Sequence, residues 1–406
     1  MNLNNYKKDF PIFKNNKDLV YLDTGASAQK PKVFIDKMTE IYSNDYANIH
    51  RGLYSLSAKA TNLYEETREY LKKFFNVPKN YEVVFTRSAT EALNLLAYSY
   101  KDKIVATTIS EHHSNFVPWQ NISKEFHVLD IQDANYQVSN GLYPCIKDKN
   151  IDIVAIQHMS NVTGAINDIY KIVEEGSIIS NQYNKKELIT IVDGSQSSAS
   201  LPIDISIIKP TFFVGTAHKM YGPNGLGFII GNRDKLDSLP PFNYGGDMVE
   251  NVSVNKTTFA KSPARFEAGT PSIVEAIAFK ASLEYMNNIG MNEIHKHTCY
   301  LADLLQDELN EISGINVFRK ESIDSFAYTD KSSVVSFNAE WAHPFDINSY
   351  LSDKNICVRS GLHCAEPLIK RLNTNGTIRA SFGIYNNIND VEKLVKSIKK
   401  LYKFHS

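Results

Sequence analysis

Short apolar runs separated by longer helix-like segments are the feature that most restricts the fold of this chain. Most of the runs are followed by a polar segment and then by apolar residues at helical spacing. Runs that are apolar throughout are typical of a mostly parallel sheet with helices on both faces. We therefore predict an α/β fold in which ligands bind beyond the carboxyl ends of the strands. The runs are Glu82–Phe85, Ile104–Thr107, Ile151–Gln157, Leu188–Val192, Phe212–Val214 and Gly227–Ile230.

The pattern changes from about Ser272 onward. Two long helical patterns, Ile273–Ile289 and Met291–Glu311, precede a separate set of short strand-like runs near Val334–Phe337 and Ile356–Val358. A chain of 406 residues is long enough for two associated domains. We predict a large domain over residues 20–285 and a smaller α/β domain over residues 286–406, completed by residues 1–19.

Composition narrows the kinds of partner. Lys and Arg together number 44 against 45 for Asp and Glu, so no broad basic field is available for nucleic acid or anionic lipid. The four cysteines form no C-x-x-C pair, which favours a reducing compartment. No apolar run approaches the ~20 residues of a membrane helix, and no targeting segment is recognisable. We expect a cytoplasmic protein with small-molecule and protein partners.

Three strand ends carry side chains suited to an aromatic, anionic ligand. Ser88 and Glu91 have the spacing of a capping box, which predicts a helix that begins at Ala89. Its free N–H groups and the Thr90 hydroxyl could bind a phosphate, and the alternative is an ordinary capped helix.

His112 could stack on a flat ring or serve as a structural loop histidine. His112 and the adjacent His113 are not expected to form a metal site, because adjacent imidazoles point in different directions and no third ligand is suitably spaced. Asp193 suits a cationic ring nitrogen or a helix N-cap.

The stretch from Phe212 to Pro223 is the most informative. It places Lys219 one turn after a buried strand, among apolar residues and glycines. Burial lowers the pKa of an amine, which is what Schiff-base chemistry requires. We therefore predict a functional lysine at this position.

A cysteine in a glycine-containing loop is the candidate nucleophile. Cys364 follows His363 directly and lies near Arg359, and neighbouring cations favour the thiolate form. Cys357 lies inside an apolar run, which indicates core packing. Further on, Arg379 has the chemistry to bind a carboxylate with two hydrogen bonds, with a structural ion pair as the alternative.

These residues, taken in order, resemble the SUF-type cysteine desulfurases, which belong to the fold-type I, class V aminotransferase-like pyridoxal-phosphate enzymes. The resemblance covers nearly the whole chain. It is carried by the sequences Tyr21-Leu22-Asp23, His50-Arg51-Gly52, Thr-Ala-His-Lys-Met-Tyr-Gly-Pro at 216–223, Arg-Phe-Glu-Ala-Gly-Thr-Pro at 265–271 and Arg-x-Gly-x-His-Cys-Ala at 359–365.

The resemblance implies a role for each matching residue. Lys219 would hold pyridoxal phosphate covalently, Asp193 would pair with the ring nitrogen, Gln196 would contact the phenolic oxygen, and His112 would stack on the ring and take part in catalysis. The phosphate would be bound by Ala89, Thr90, Thr216 and His218, and by Thr270 from the other subunit of a homodimer. Asn161, Arg359 and Arg379 would lie at the substrate carboxylate.

The resemblance also implies a reaction and partners. L-Cysteine would be converted to L-alanine while Cys364 receives the sulfur as a persulfide, which passes to a SufE-like or SufU-like acceptor and then to an iron–sulfur scaffold. Three residues depart from the usual family pattern, namely Ala217, Leu362 and Ala89, and we expect them to alter rates without removing activity. The alternatives are a selenocysteine lyase, another enzyme of the same fold such as an aminotransferase, or a non-catalytic scaffold protein.

Overall fold

A computed structural model describes residues 3–320 and 331–404, with side chains from residue 6 onward. Its strands are β1 (Val20–Tyr21), β2 (Tyr81–Thr86), β3 (Ile104–Thr108), β4 (Glu125–Leu129), β5 (Ile153–Gln157), β6 (Ile189–Asp193), β7 (Phe212–Thr216), β8 (Gly227–Asn232), β9 (Val249–Val252), β10 (Thr257–Phe259), β11 (Ile315–Val317), β12 (Val334–Ala339), β13 (Ile356–Cys357), β14 (Arg359–Gly361) and β15 (Thr377–Ser381).

The α-helices of the same residues begin with α1 (Pro11–Asn15), α2 (Lys32–Glu40), α3 (Ser55–Phe74), α4 (Ala89–Ser99), α5 (His113–Ile122), α6 (Leu142–Asp148) and α7 (Ile169–Ile179). They continue with α8 (Ile205–Ile208), α9 (Arg233–Ser238), α10 (Ile273–Ile289), α11 (Met291–Asn310), α12 (Pro344–Ser352), α13 (Glu366–Arg371) and α14 (Ile388–Tyr402). None of these helices is long and apolar enough to cross a membrane.

The main sheet has seven strands in the order β2-β8-β7-β6-β5-β3-β4. Strands β3 to β7 are parallel to one another, whereas β8 runs antiparallel to both β2 and β7. Successive side chains of each strand enter different cores: Val154 packs in one cluster, and Ile153 and Ala155 pack in the other. Both faces are therefore buried under helices, and the predicted α/β fold with a mostly parallel sheet is confirmed.

A second sheet is antiparallel, with the order β11-β12-β15-β14, and has a hydrophobic cluster of its own with α11, α12 and α14. The N-terminal segment of the chain contacts both units. Phe10 packs in a cluster of the main sheet, whereas Val20 pairs with Ile356 and packs in the cluster of the second sheet. We retain the division between residues 285 and 286 as a proposal.

Most predicted elements occur at the expected positions. Helix α10 has the predicted bounds, and α11 ends at Asn310, one residue before the predicted end. Ser88 caps α4 as predicted, since its side chain accepts a hydrogen bond from the Glu91 N–H at 3.1 Å. The Glu91 carboxylate, however, accepts from the Arg87 N–H at 2.5 Å, so the capping box is not reciprocal.

Candidate active site

The carboxyl ends of the central strands meet at one edge of the main sheet. Gln157 pairs with Asp193, and Asp193 pairs with Val214, so the last residues of β5 and β6 lie side by side. A pocket of about 200 Å³ opens beyond this edge. Its lining includes eleven of the predicted site residues: Ala89, Thr90, His112, Asn161, Asp193, Gln196, Thr216, His218, Lys219, Arg359 and Arg379.

Lys219 ends a short 3-10 turn, Ala217–Lys219, that follows β7 directly. Burial lowers the pKa of the Lys219 amine to about 8, although the negative charge of Asp193 acts in the opposite direction. Near neutral pH about a tenth of the amine is therefore neutral and nucleophilic, far more than for a lysine with the ordinary pKa of 10.5. The only other ionisable residue of the turn, His218, has a pKa of about 4, because its ring is buried near Lys219 and Lys30.

His112 stands at the N-terminus of α5, where its Nδ1 accepts a hydrogen bond from the Ser114 N–H at 3.1 Å. This bond requires an unprotonated Nδ1, so the proton of the neutral ring is on Nε2. Burial and the nearby charge of Lys219 lower the pKa of His112 to about 4. The ring is therefore neutral at physiological pH, a state suited to stacking on an aromatic ligand.

The N-terminus of α4 forms the side of the pocket that is suited to an anion. Its free N–H groups at Ala89 and Thr90 border the pocket, as does Ser88. The Thr90 hydroxyl is 2.7 Å from that of Ser114. Gly227 passes behind this turn so closely that a Cβ there would lie 2.4 Å from the Ser88 carbonyl carbon.

Arg379 enters the pocket from β15 and is fully buried. Its Nη2 donates to Asp23 Oδ1 and its Nη1 to the Asn161 backbone oxygen, both at 3.0 Å. Nε has no hydrogen-bond partner among the described residues. An unsatisfied buried guanidinium N–H costs free energy. The Nε–H of Arg379 can therefore donate to an additional acceptor such as a carboxylate.

The Cys364 loop is fixed by several contacts beside the pocket. Cys364 Sγ lies 3.7 Å from Arg359 Nη2, and the Cys364 carbonyl accepts from the His113 N–H at 2.7 Å. The preceding carbonyl, that of His363, accepts from Asn161 Nδ2 at 2.7 Å. Both His363 and Cys364 have positive φ angles, a strained conformation that these contacts stabilise.

The structure assigns the cation beside the thiol to Arg359 and not to His363. Burial, reinforced by the charges of Arg379 and Arg359, lowers the pKa of His363 to about 3, so its ring is neutral. The ring Nε2 is 2.8 Å from the Thr377 hydroxyl. The expectation that both neighbours of Cys364 supply positive charge therefore applies only to Arg359.

Two predicted residues do not line the pocket. The Cys364 thiol lies 3.7 Å from the lining residue Arg359, whereas Thr270 lines a separate cavity of about 150 Å³ with Thr86 and Glu267. Other lining residues were not predicted, among them Gly25, Gln157, Met159 and Ser195. Gln157 had a usable signal, because it is a polar residue at the end of an apolar run, as Asp193 is.

The pocket residues fit the pyridoxal phosphate that the resemblance implies. Lys219 offers a buried amine to its aldehyde, Asp193 a carboxylate to its ring nitrogen, and α4 an N-terminus to its phosphate. Ser195 Oγ and Asn161 Oδ1 also line the site as buried polar atoms without a partner in the described structure. Such atoms are rare in folded proteins and indicate that a polar ligand completes the site.

Comparison with known proteins places the chain in context. Residues 20–394 match the family model described as Aminotransferase class-V. A probable cysteine desulfurase of Halalkalibacterium halodurans is 36% identical over 100% of this chain and 99% of that protein. One of Synechocystis is 35% identical over 98% of this chain and 96% of that protein.

Solved structures of cysteine desulfurases are also similar to this chain. The apo structure of a cysteine desulfurase from Thermococcus onnurineus has a TM-score of 0.88 and 32% identity, and covers 98% of both chains. The S-sulfonic acid form of the cysteine desulfurase CsdA from Escherichia coli has a TM-score of 0.86 and 28% identity, and covers 100% of both. Both alignments therefore cover nearly the whole chain.

Proposed function

Since this chain belongs to the aminotransferase class-V family, and within it to the pyridoxal-phosphate-dependent cysteine desulfurases, we propose that it is a SUF-type enzyme that moves the sulfur of L-cysteine to Cys364. One observation carries the proposal. A buried lysine with a pKa of about 8 shares a pocket with Arg359, whose guanidinium is 3.7 Å from the Cys364 thiol. A transaminase has no use for such a thiol.

The cofactor, when bound, supplies a ring that accepts the electron pair released from the substrate's Cα–H bond. Lys219 would attach it, and Asp193, which is held by the Ser195 N–H at 2.9 Å, would keep a proton on its ring nitrogen. Gln196 would contact its phenolic oxygen with one amide hydrogen, because the other is donated to the Gly25 oxygen at 2.8 Å. Its phosphate would be bound by Ala89, Thr90, Thr216 and His218.

Substrate recognition would depend on buried donors at the opposite side of the pocket. The unpartnered Nε of Arg379 would donate to the α-carboxylate, with Asn161 beside it. Asp23 and the Asn161 carbonyl already fix the two Nη atoms, so the guanidinium is oriented before substrate arrives. The freed amine of Lys219 would then take the α-proton of the bound cysteine and later return it.

Sulfur transfer would use Cys364. Its thiolate, stabilised by Arg359, attacks the substrate sulfur; a sulfur–sulfur bond forms and the substrate's carbon–sulfur bond breaks, with the electron pair remaining on carbon. Protonation of that carbon gives alanine. The balance is L-cysteine plus the enzyme thiol giving L-alanine plus the enzyme persulfide, with no external oxidant.

The test is a single turnover of the Cys364→Ser variant, with Cys357→Ser as the matched control. We expect Cys364→Ser to bind L-cysteine, as a change in visible absorption, while alanine release falls at least 1000-fold because the attacking thiolate is absent. Cys357→Ser should release alanine within about twofold of wild type, because Cys357 is half-buried in β13 and does not line the pocket. Normal alanine release by Cys364→Ser would refute the proposal.

We further propose a homodimer in the cytoplasm. Thr270 lies outside the pocket of its own chain, so it would reach a phosphate only in a second copy. Leu53, Tyr244 and Val254 are exposed apolar side chains. All four cysteines are free thiols, which supports a reducing compartment.

The persulfide would pass to a SufE-like or SufU-like acceptor protein and support the assembly of iron–sulfur clusters. The support is the sequence resemblance together with the half-buried position of Cys364, two residues after the exposed Leu362. A half-buried thiol can be reached by the thiol of another protein, whereas the buried amine of Lys219 cannot.

A further inference from the structure

A second lysine contacts the turn that carries Lys219. The Lys30 Nζ donates to the backbone oxygen of Ala28 at 2.8 Å and to that of His218 at 3.0 Å. Burial lowers the pKa of Lys30 to about 8, and no acidic residue in the described part of the chain offsets this effect. The amine is thus held among neutral carbonyl groups.

Fold stability does not explain this arrangement. A lysine amine removed from water without a counter-ion costs free energy, and replacing such a group by an apolar one is often neutral or stabilising. Lys32, two residues later, shows the ordinary alternative, because it is exposed and forms an ion pair with Asp36 at 2.6 Å. The position of the Lys30 amine therefore calls for another explanation.

The hydrogen bonds of the His218 carbonyl explain the position of the Lys30 amine. It accepts from the Ala28 N–H at 3.0 Å, from Lys30 Nζ at 3.0 Å and, more weakly, from Ser27 Oγ at 3.5 Å. This carbonyl belongs to the peptide bond that joins His218 to Lys219. The peptide immediately before the cofactor lysine is therefore fixed from outside its own turn.

We propose that Lys30 is a positioning residue that fixes the His218–Lys219 peptide and so holds the Lys219 amine in place for the cofactor. The inference rests on the proposed role of Lys219. An ammonium has three donors and can bind the Ala28 and His218 carbonyls together. Pro31 restricts the backbone of Lys30 to an extended conformation, which helps to preset the position of the amine.

The test compares Lys30→Met with Lys32→Met in the full-length protein loaded with pyridoxal phosphate. Titration with pyridoxal phosphate, followed by visible absorption, gives its dissociation constant. A pH titration of the loaded protein gives the midpoint of the change in the absorption of the bound cofactor. We expect Lys30→Met to weaken cofactor binding roughly tenfold or more, as expected for loss of one charge-assisted hydrogen bond, and to move the midpoint. Lys32→Met should change neither. Without cofactor, Lys30→Met should melt no lower than wild type.

Unchanged cofactor affinity and an unmoved midpoint in Lys30→Met would overturn the inference. If Lys30→Met does not fold, Lys30→Gln, which keeps a donor without the charge, takes its place, with an intermediate loss of affinity expected. Failure of both variants to fold would assign Lys30 to stability and also overturn it. Borohydride reduction and peptide mapping of wild type test Lys219 separately: cofactor on another lysine would refute the proposed function, whatever Lys30 does.

Discussion

At the scale of single residues, burial sets the charge of the groups around the pocket. Burial lowers the pKa of His112 and of His218 to about 4, so both rings are neutral near pH 7. It raises the pKa of Glu111, which lies fully buried beside the pocket, to about 8, so this carboxyl keeps its proton. The neutral histidine rings and the neutral Glu111 carboxyl leave Lys219, Asp193, Arg359 and Arg379 as the ionisable groups of the pocket that act on a ligand.

Lys219 illustrates the cost of this arrangement. The cofactor-free protein has a Lys219 pKa of about 8 against an ordinary 10.5, so the folded state binds this proton less tightly than the unfolded state. Stability is therefore reduced below pH 8 and recovers as the pH rises from about 8 to 10.5. We expect Lys219→Met to raise the free energy of unfolding of the cofactor-free protein by up to about 3 kcal/mol at pH 7.

Urea unfolding of both cofactor-free proteins at pH 7, 9 and 10.5 measures this difference, which should shrink over the upper two values. Lys32→Met is the control, because an exposed lysine should change stability by no more than about 0.5 kcal/mol at any of these pH values. A gain from Lys219→Met that did not depend on pH would contradict the explanation by charge burial.

Among the secondary-structure elements, the first turn of α4, which begins at Ala89, depends on its contact with β8. Gly227 begins this strand directly behind the turn. An added Cβ would meet three backbone atoms, namely the Ser88 carbonyl carbon at 2.4 Å, the Ala89 nitrogen at 2.7 Å and the Ser88 Cα at 2.8 Å. Backbone atoms cannot move aside as a side chain does. The absence of a side chain at Gly227 therefore allows α4 to begin this close to β8.

We expect Gly227→Ala to displace the first turn of α4, to lower the free energy of unfolding by about 1–3 kcal/mol as overpacking does, and to weaken pyridoxal-phosphate binding by roughly tenfold. Thermal unfolding and titration by visible absorption measure the two effects. Gly246→Ala is the matched control, because nothing lies within 4 Å of its added Cβ. Equal cofactor affinities for the two variants would show that the turn tolerates the displacement.

For the molecule as a whole, apolar side chains are exposed in the segment that precedes α3 and in the β9–β10 hairpin. Leu53 and Val254 are fully exposed. The ion pair between Arg51 and Asp247, at 2.5 Å, joins the segment to the loop that leads into the hairpin. Exposed apolar side chains on segments joined in this way are a candidate for the proposed interface between subunits.

We expect Leu53→Glu to shift the proposed homodimer toward single chains, because a dimer would have to bury the new carboxylate without a partner. Sedimentation equilibrium over a range of concentrations measures the change. Ile178→Glu on α7 is the control, an exposed apolar residue that should leave the mass unchanged. A Leu53→Glu protein with the mass of wild type would place the interface elsewhere.

Some strands and helices could be predicted from the sequence, and others could not. The central strands and the long helix α10 were predicted because their apolar patterns are local and continuous. Strand β4 was missed, because an edge strand is half exposed and alternates with polar residues such as Glu125. Strand β15, with Arg379 in its centre, was missed because a buried ion pair there replaces an apolar side chain.

The sequence by itself determined the fold class, the strand ends that carry His112, Asp193 and Lys219, and the loop with Cys364, since each depends on residues close together in the chain. Tertiary structure decided what crosses long separations. It placed Arg379 beside Asp23, turned His363 toward Thr377, and brought Lys30 to the His218 carbonyl. Burial and long-range hydrogen bonds set these contacts and the charges of the groups, and both arise only when distant segments pack together.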